Sequence, residues 1–65
     1  MRIKKVEYPV KSKHKFIVED NKDTYICYIC SCQSALNCVI NTKTNKNITE
    51  TLKGAEIMLK CWNNM

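Results

Sequence analysis

From Lys11 to Glu19 the side chains sort with the period of two of an extended chain. Lys11, Lys13 and Lys15 fall on one side of an extended chain, and Phe16 and Val18 on the other. Asp20-Asn21-Lys22-Asp23 follows, a run of residues that hydrogen-bond locally or tolerate left-handed backbone, which predicts a hairpin turn. Thr24 to Cys32 is predicted as the strongest strand. One of its faces carries Ile26, Tyr28, Cys30 and Cys32 and the other Tyr25, Cys27 and Ile29, the pattern of a central strand covered on both sides. Residues 2–8 read as an earlier strand of imperfect alternation, which Pro9 ends or confines to a sheet edge.

Beyond Cys32 two periods compete. Cys32, Ala35, Leu36, Val39 and Ile40 have helical spacing, whereas the β-branched Val39 and Ile40 and the turn-forming Asn and Thr around them favour a strand over Asn37 to Thr42. The strand is preferred, with Thr42 to Asn47 as a polar loop. The last segment predicts a helix over 47–63. Ile48, Leu52, Ala55, Leu59 and Trp62 step by four, three, four and three, which draws one apolar stripe. Asn47-Ile48-Thr49-Glu50 fits a capping box, with Thr51 as the alternative N-cap, and Lys60 suits the C-terminal end of the dipole. Gly54 costs such a helix about 1 kcal/mol against Ala, which suggests close packing on the sheet. If the stripe faces the core, Leu52, Leu59 and Trp62 contribute about 2 kcal/mol each. Trp62→Ala then costs about 3–5 kcal/mol.

The expected fold class is therefore α+β: a small antiparallel sheet of three or four strands with one C-terminal helix packed on it. Residues 1–65 are read as a single domain, with a basic N-terminal strand or arm over 1–15, the sheet over 16–42 and the helix over 47–63. Sixty-five residues leave no room for a second core. One Gly and one Pro are too few for a linker-rich or disordered chain. Chains this small often add a staple, and a homodimer is one form of it. No apolar run long enough for an export signal or a membrane span follows Met1-Arg2-Ile3-Lys4-Lys5, so the cytosol is the expected compartment, with reduced cysteines.

Charge changes the picture more than composition does. Residues 1–15 hold six basic residues (Arg2, Lys4, Lys5, Lys11, Lys13, Lys15) against Glu7, a net of +5; residues 16–65 hold five lysines against five acids. The whole excess lies in the first quarter of the chain. Those six are the candidate partner-binding residues, since a field of one sign steers and holds an acidic partner. The competing interpretation is a solvated strand whose lysines block edge pairing. Direct nucleic-acid binding is the alternative use of the same residues, with Tyr8, Phe16, Tyr25 and Tyr28 as stacking platforms. The single arginine offers little base readout.

Catalytic chemistry finds no footing in the pattern. Five cysteines, as Cys27-x₂-Cys30-x-Cys32-x₅-Cys38 with Cys61, supply enough soft ligands for zinc, but a strand points Cys27 and Cys30 to opposite faces. Reduced cysteines read instead as small core residues, and a zinc-stabilised module stands as the second alternative. His14 is the only histidine, and it lies in a lysine-rich segment away from a paired acid or a nucleophile motif. No catalytic residue, metal ligand or cofactor is assigned, and a non-enzymatic protein is expected.

Phe16-Ile17-Val18-Glu19-Asp20-Asn21-Lys22-Asp23-Thr24-Tyr25-Ile26-Cys27-Tyr28-Ile29, then Cys38, then Thr51-Leu52-Lys53-Gly54-Ala55-Glu56 resembles the HicB-type antitoxin domain, over roughly residues 16–62. In this sequence Ser31-Cys32-Gln33-Ser34-Ala35 replaces the family's Pro-containing loop, and Asn37 stands where the family has Gly. The resemblance implies a β-β-β-α, partial RNase-H-like fold without nuclease activity, and a role in silencing a toxin protein. The function expected from residues and resemblance together is sequestration or inhibition of an acidic partner protein. It takes an antitoxin-like form, or that of a phage or mobile-element inhibitor of a nuclease or nucleic-acid-handling complex. The Lys/Asn/Ile-rich composition fits an AT-rich genome in either case.

Overall fold

The computed structural model describes residues 1–8, 12–31 and 36–65. Five strands, β1 (Arg2–Val6), β2 (Lys13–Asp20), β3 (Asp23–Cys30), β4 (Cys38–Asn41) and β5 (Lys46–Asn47), precede one helix, α1 (Leu52–Trp62). The strands form one sheet in the order β1-β2-β3-β4-β5, every neighbouring pair antiparallel. The architecture is thus the expected α+β class, with five strands rather than three or four. The extra strand is β5, two polar residues inside the segment expected to be a loop, too short to leave a periodic trace. The strand expected to reach Cys32 ends at Cys30, and Cys32 itself lies outside the described residues.

Turn chemistry sets the register. Asn21 adopts φ 53 between Asp20 and Asp23, which pair directly, so the expected hairpin closes on a side chain that tolerates left-handed backbone. Asn45, at φ 59, does the same before β5, and Asn41 Oδ1 accepts from the Lys43 amide at 2.9 Å to hold that loop. From these registers each strand's residues sort onto two faces.

Helix α1 covers one face only. Beneath it lie Phe16, Val18, Tyr25, Cys27, Ile29 and Val39, all buried, with Ile3 packed at the margin; the helix contributes Ile57 and Cys61, flanked by Met58. Strand β3 is central as expected, and among the described residues α1 covers one of its faces. The other face carries the half-buried Ile26 and Tyr28 and the buried Cys30.

The helix begins at Thr51, whose Oγ1 accepts from the Gly54 amide at 3.0 Å, so the later of the two expected caps is the one used. Its rotation differs from expectation. Leu52 is 93% exposed, Leu59 60% and Trp62 47%, and Ala55 is exposed as well; the stripe expected to face the core faces outward. The inward face is Gly54, Ile57 and Cys61. Two apolar arcs compete on this helix, and Gly54 decides between them: a Cβ there would stand 1.8 Å from the Ile48 carbonyl oxygen and 3.0 Å from Thr49 Cα. The glycine marks a close approach, as expected, but to the loop preceding the helix rather than to the sheet. Lys53 adds a polar tie beside it. Its ammonium is hydrogen-bonded to Asp20 at the end of β2, which holds that carboxyl below its ordinary value and raises Lys53 above its own.

Two outcomes follow for stability, both readable by urea denaturation of dilute protein. Ile57→Ala is expected to cost about 2–5 kcal/mol, whereas Leu52→Ala changes stability by less than about 0.5 kcal/mol; the reverse ranking would return the stripe to the core. Gly54→Ala is expected to destabilise by about 1–3 kcal/mol despite its better helix propensity, because Ile48 and Thr49 present backbone rather than a yielding side chain.

Candidate functional site

The face of the sheet opposite α1 collects the charge. Register places Arg2 across from Glu19, Lys4 across from Ile17, and Val6 across from Lys15. On the next pairing Lys13 meets Cys30, Lys15 meets Tyr28, Ile17 meets Ile26 and Glu19 meets Thr24. Then Ile26 meets Ile40 and Tyr28 meets Cys38, and Asn47 closes the row beyond Ile40. Directly opposed residues in antiparallel strands share a face, so this whole set lies on the helix-free side.

Four of the six candidate basic residues, Arg2, Lys4, Lys13 and Lys15, therefore stand together on one surface. Lys5 does not join them; it opposes Phe16 and so belongs to the helix side of β1, where it is exposed. The alternation of β1 is too irregular for its phase to be read before its register with β2 is known. Lys11 lies outside the described residues.

The surface has two halves. Strands β1 and β2 bring the four cations and one acid, Glu19. Strands β3, β4 and β5 bring Thr24, Ile26, Tyr28, Cys38, Ile40 and Asn47, with no Lys, Arg, Asp or Glu among them and with Cys30 buried beneath. Ile17, Ile26 and Ile40 form a row across the middle, each half-buried because its cross-strand neighbours shield it. Lys15 Nζ lies 5.7 Å from the Tyr28 ring centroid, so its aliphatic stem runs over apolar surface while its charge stays near the aromatic face. An excess of positive charge beside a half-exposed apolar row can dock an acidic surface that carries apolar residues of its own. The isoleucine row was missed as site material because the same alternation that marks a covered strand marks a half-covered one.

The aromatics divide against a stacking platform. Phe16 and Tyr25 are buried under the helix, and among the described strand residues of the open face Tyr28 is the aromatic one. Tyr8 is 37% exposed beyond the end of β1 and borders a recess of about 170 Å³ with Lys13, His14, Tyr28, Ile29, Cys30 and Leu36. His14 of β2 opposes Ile29 of β3 and is half-buried.

The cysteines separate as the strand geometry requires. Cys27 is on the helix side and Cys30 and Cys38 on the open side. Cys27 and Cys61 are both fully buried, and Cys27 Sγ donates to Met58 Sδ at 3.8 Å. A hydrogen bond with Cys61, together with burial, pushes the Cys27 thiol far above its ordinary range, and the same bond lowers Cys61. Burial also raises Cys38. Among the described residues no group of three or more His, Cys, Asp and Glu side chains is placed to hold a metal ion.

Comparison with protein-family models, with curated proteins and with solved structures finds no match.

Among Cys27, Cys38 and Cys61, alkylation of the folded protein at neutral pH is expected to label Cys38 first, and Cys27 and Cys61 only as the domain opens. Peptide mapping by mass spectrometry checks this. Early labelling of Cys27 would detach the helix from the sheet.

Proposed function

We propose that this chain is a non-enzymatic binding protein that sequesters or inhibits a partner protein through the helix-free face of its sheet. The observation that carries the proposal is the convergence of Arg2, Lys4, Lys13 and Lys15 beside the row Ile17, Ile26 and Ile40. The partner presents an acidic rim around an apolar patch. Steering by the four cations sets the association rate, and the isoleucine row supplies the buried centre. A basic face of this kind suits proteins that themselves use acidic clusters. An antitoxin-like silencer, or an inhibitor of a nuclease or nucleic-acid-handling complex carried by a phage or mobile element, are the forms this proposal takes. The site of action is the reducing cytosol, where Cys27, Cys38 and Cys61 remain the free thiols they are here. Among the described residues no helix is long and apolar enough to cross a membrane.

The proposal is tested by capture from a nuclease-treated lysate of the source cell, comparing wild type with the triple variant Lys4→Glu, Lys13→Glu, Lys15→Glu. Wild type is expected to retain one acidic protein that the variant releases. With that protein purified, the variant's association rate should fall at least about tenfold at low salt. Equal retention by both would remove the basic face from the interface. Retention of nucleic acid alone, with a matching shift of random oligonucleotides on a gel, would replace the protein partner with nucleic acid.

A further inference from the structure

The exposed face of α1 lies on the opposite side of the molecule from the basic surface and has no function in the reading above. Leu52, Ala55, Leu59 and Trp62 line it, and a groove of about 440 Å³ runs alongside, bordered by Ala55, Met58, Leu59, Trp62, Thr49 and Asn37. We propose that a second copy of this chain covers this face, forming a two-fold dimer through antiparallel α1 helices.

Three features select a second copy. The stripe steps by three, four and three, so it reads the same from either end. An antiparallel copy sharing its midpoint therefore sets Leu52 against the partner's Trp62 and Ala55 against the partner's Leu59. The pairs are complementary in size: small Ala55 borders the groove, and the Leu59 of the second copy is the side chain that enters it. Charge agrees as well. Glu56 and Lys60 flank the stripe on one side, and the same two-fold places each Glu56 beside the other copy's Lys60. Glu56 is half exposed and, among the described residues, its ion pair is with Lys53 of its own helix, at 3.6 Å. A specific interface buries about 1,000 Å² or more, and a stripe of four side chains on an 11-residue helix reaches no further than that limit, so a dimer that forms with concentration is expected rather than an obligate one. The cationic sheet face cannot serve in its place, because two copies would bring like charge together.

Sedimentation equilibrium from about 1 μM to about 1 mM tests the proposal. Wild type is expected to rise from its monomer mass of 7.6 kDa to twice that value. Leu59→Glu and Leu52→Glu, both at exposed positions, are expected to keep the wild-type circular dichroism spectrum and to remain monomeric throughout. Lys60→Glu alone should weaken association at least about tenfold, and the exchange Glu56→Lys with Lys60→Glu should restore it, since the swapped charges still oppose across the two-fold. A wild type that stays at the monomer mass at every concentration overturns the proposal and leaves the face to a different protein. Dimers that persist in Leu59→Glu, or a charge exchange that fails to restore what Lys60→Glu loses, overturn it equally.

Discussion

Helix α1 reaches its place by touching the backbone that leads into it, and that contact is possible at one position. Where Gly54 passes the Ile48 carbonyl there is no room for a methyl group. The same carbonyl accepts from the amide and hydroxyl of Thr51, so the turn that caps the helix also forms the wall it leans against. Thr49 Oγ1, inside that turn, accepts from the Val39 amide of β4. The chain from β4 to the first turn of α1 is therefore one hydrogen-bonded unit, and it fixes the rotation of the helix about its axis. Ile57 and Cys61 enter the core because they lie on the glycine's side. Leu52 and Trp62 are carried outward for the same reason.

From that rotation the molecule acquires three distinct surfaces. The core occupies the space between α1 and one side of the sheet, with Phe16, Val18, Cys27 and Val39 fully enclosed. The reverse of the sheet is left to Arg2, Lys4, Lys13, Lys15 and the isoleucine row. The reverse of the helix is left to the stripe. Each strand of the hairpin thus has one face in the core and one in contact with the surroundings. The period of two that builds the core delivers the basic face at no further structural cost.

How much of this was legible in the sequence depends on the range of the determining contact. The hairpin between β2 and β3 was readable because its alternation and its Asp-Asn-Lys-Asp turn are local. Lys13 and Lys15 could be placed on one side for the same reason. Joining Arg2 and Lys4 to them required the register of β1 on β2, a non-local pairing that an irregular edge strand does not encode, and the separation of Lys5 from that surface has the same origin. The helix was legible in position but not in facing. Its longest apolar stripe was the natural choice for the core, since a side-chain pattern assigns no value to an absent side chain. The meaning of Gly54 resides in Ile48, six residues upstream and reached through a turn. Strand β5 consists of two polar residues that pair because the Asn45 turn returns them to β4, and no periodicity announces it.

The separation of the basic face from the core has an evolutionary consequence. Arg2, Lys4, Lys13 and Lys15 contribute little to the enclosed packing, and the half-exposed Ile17, Ile26 and Ile40 border it only through the sheet's own thickness. Substitutions across these positions can redraw the surface while the glycine-set helix and its buried partners hold the domain together. On the proposed binding role, such a scaffold can be retargeted rapidly: a lineage meeting a changed partner can follow it by mutating one side of a sheet, with folding largely insulated from the pursuit.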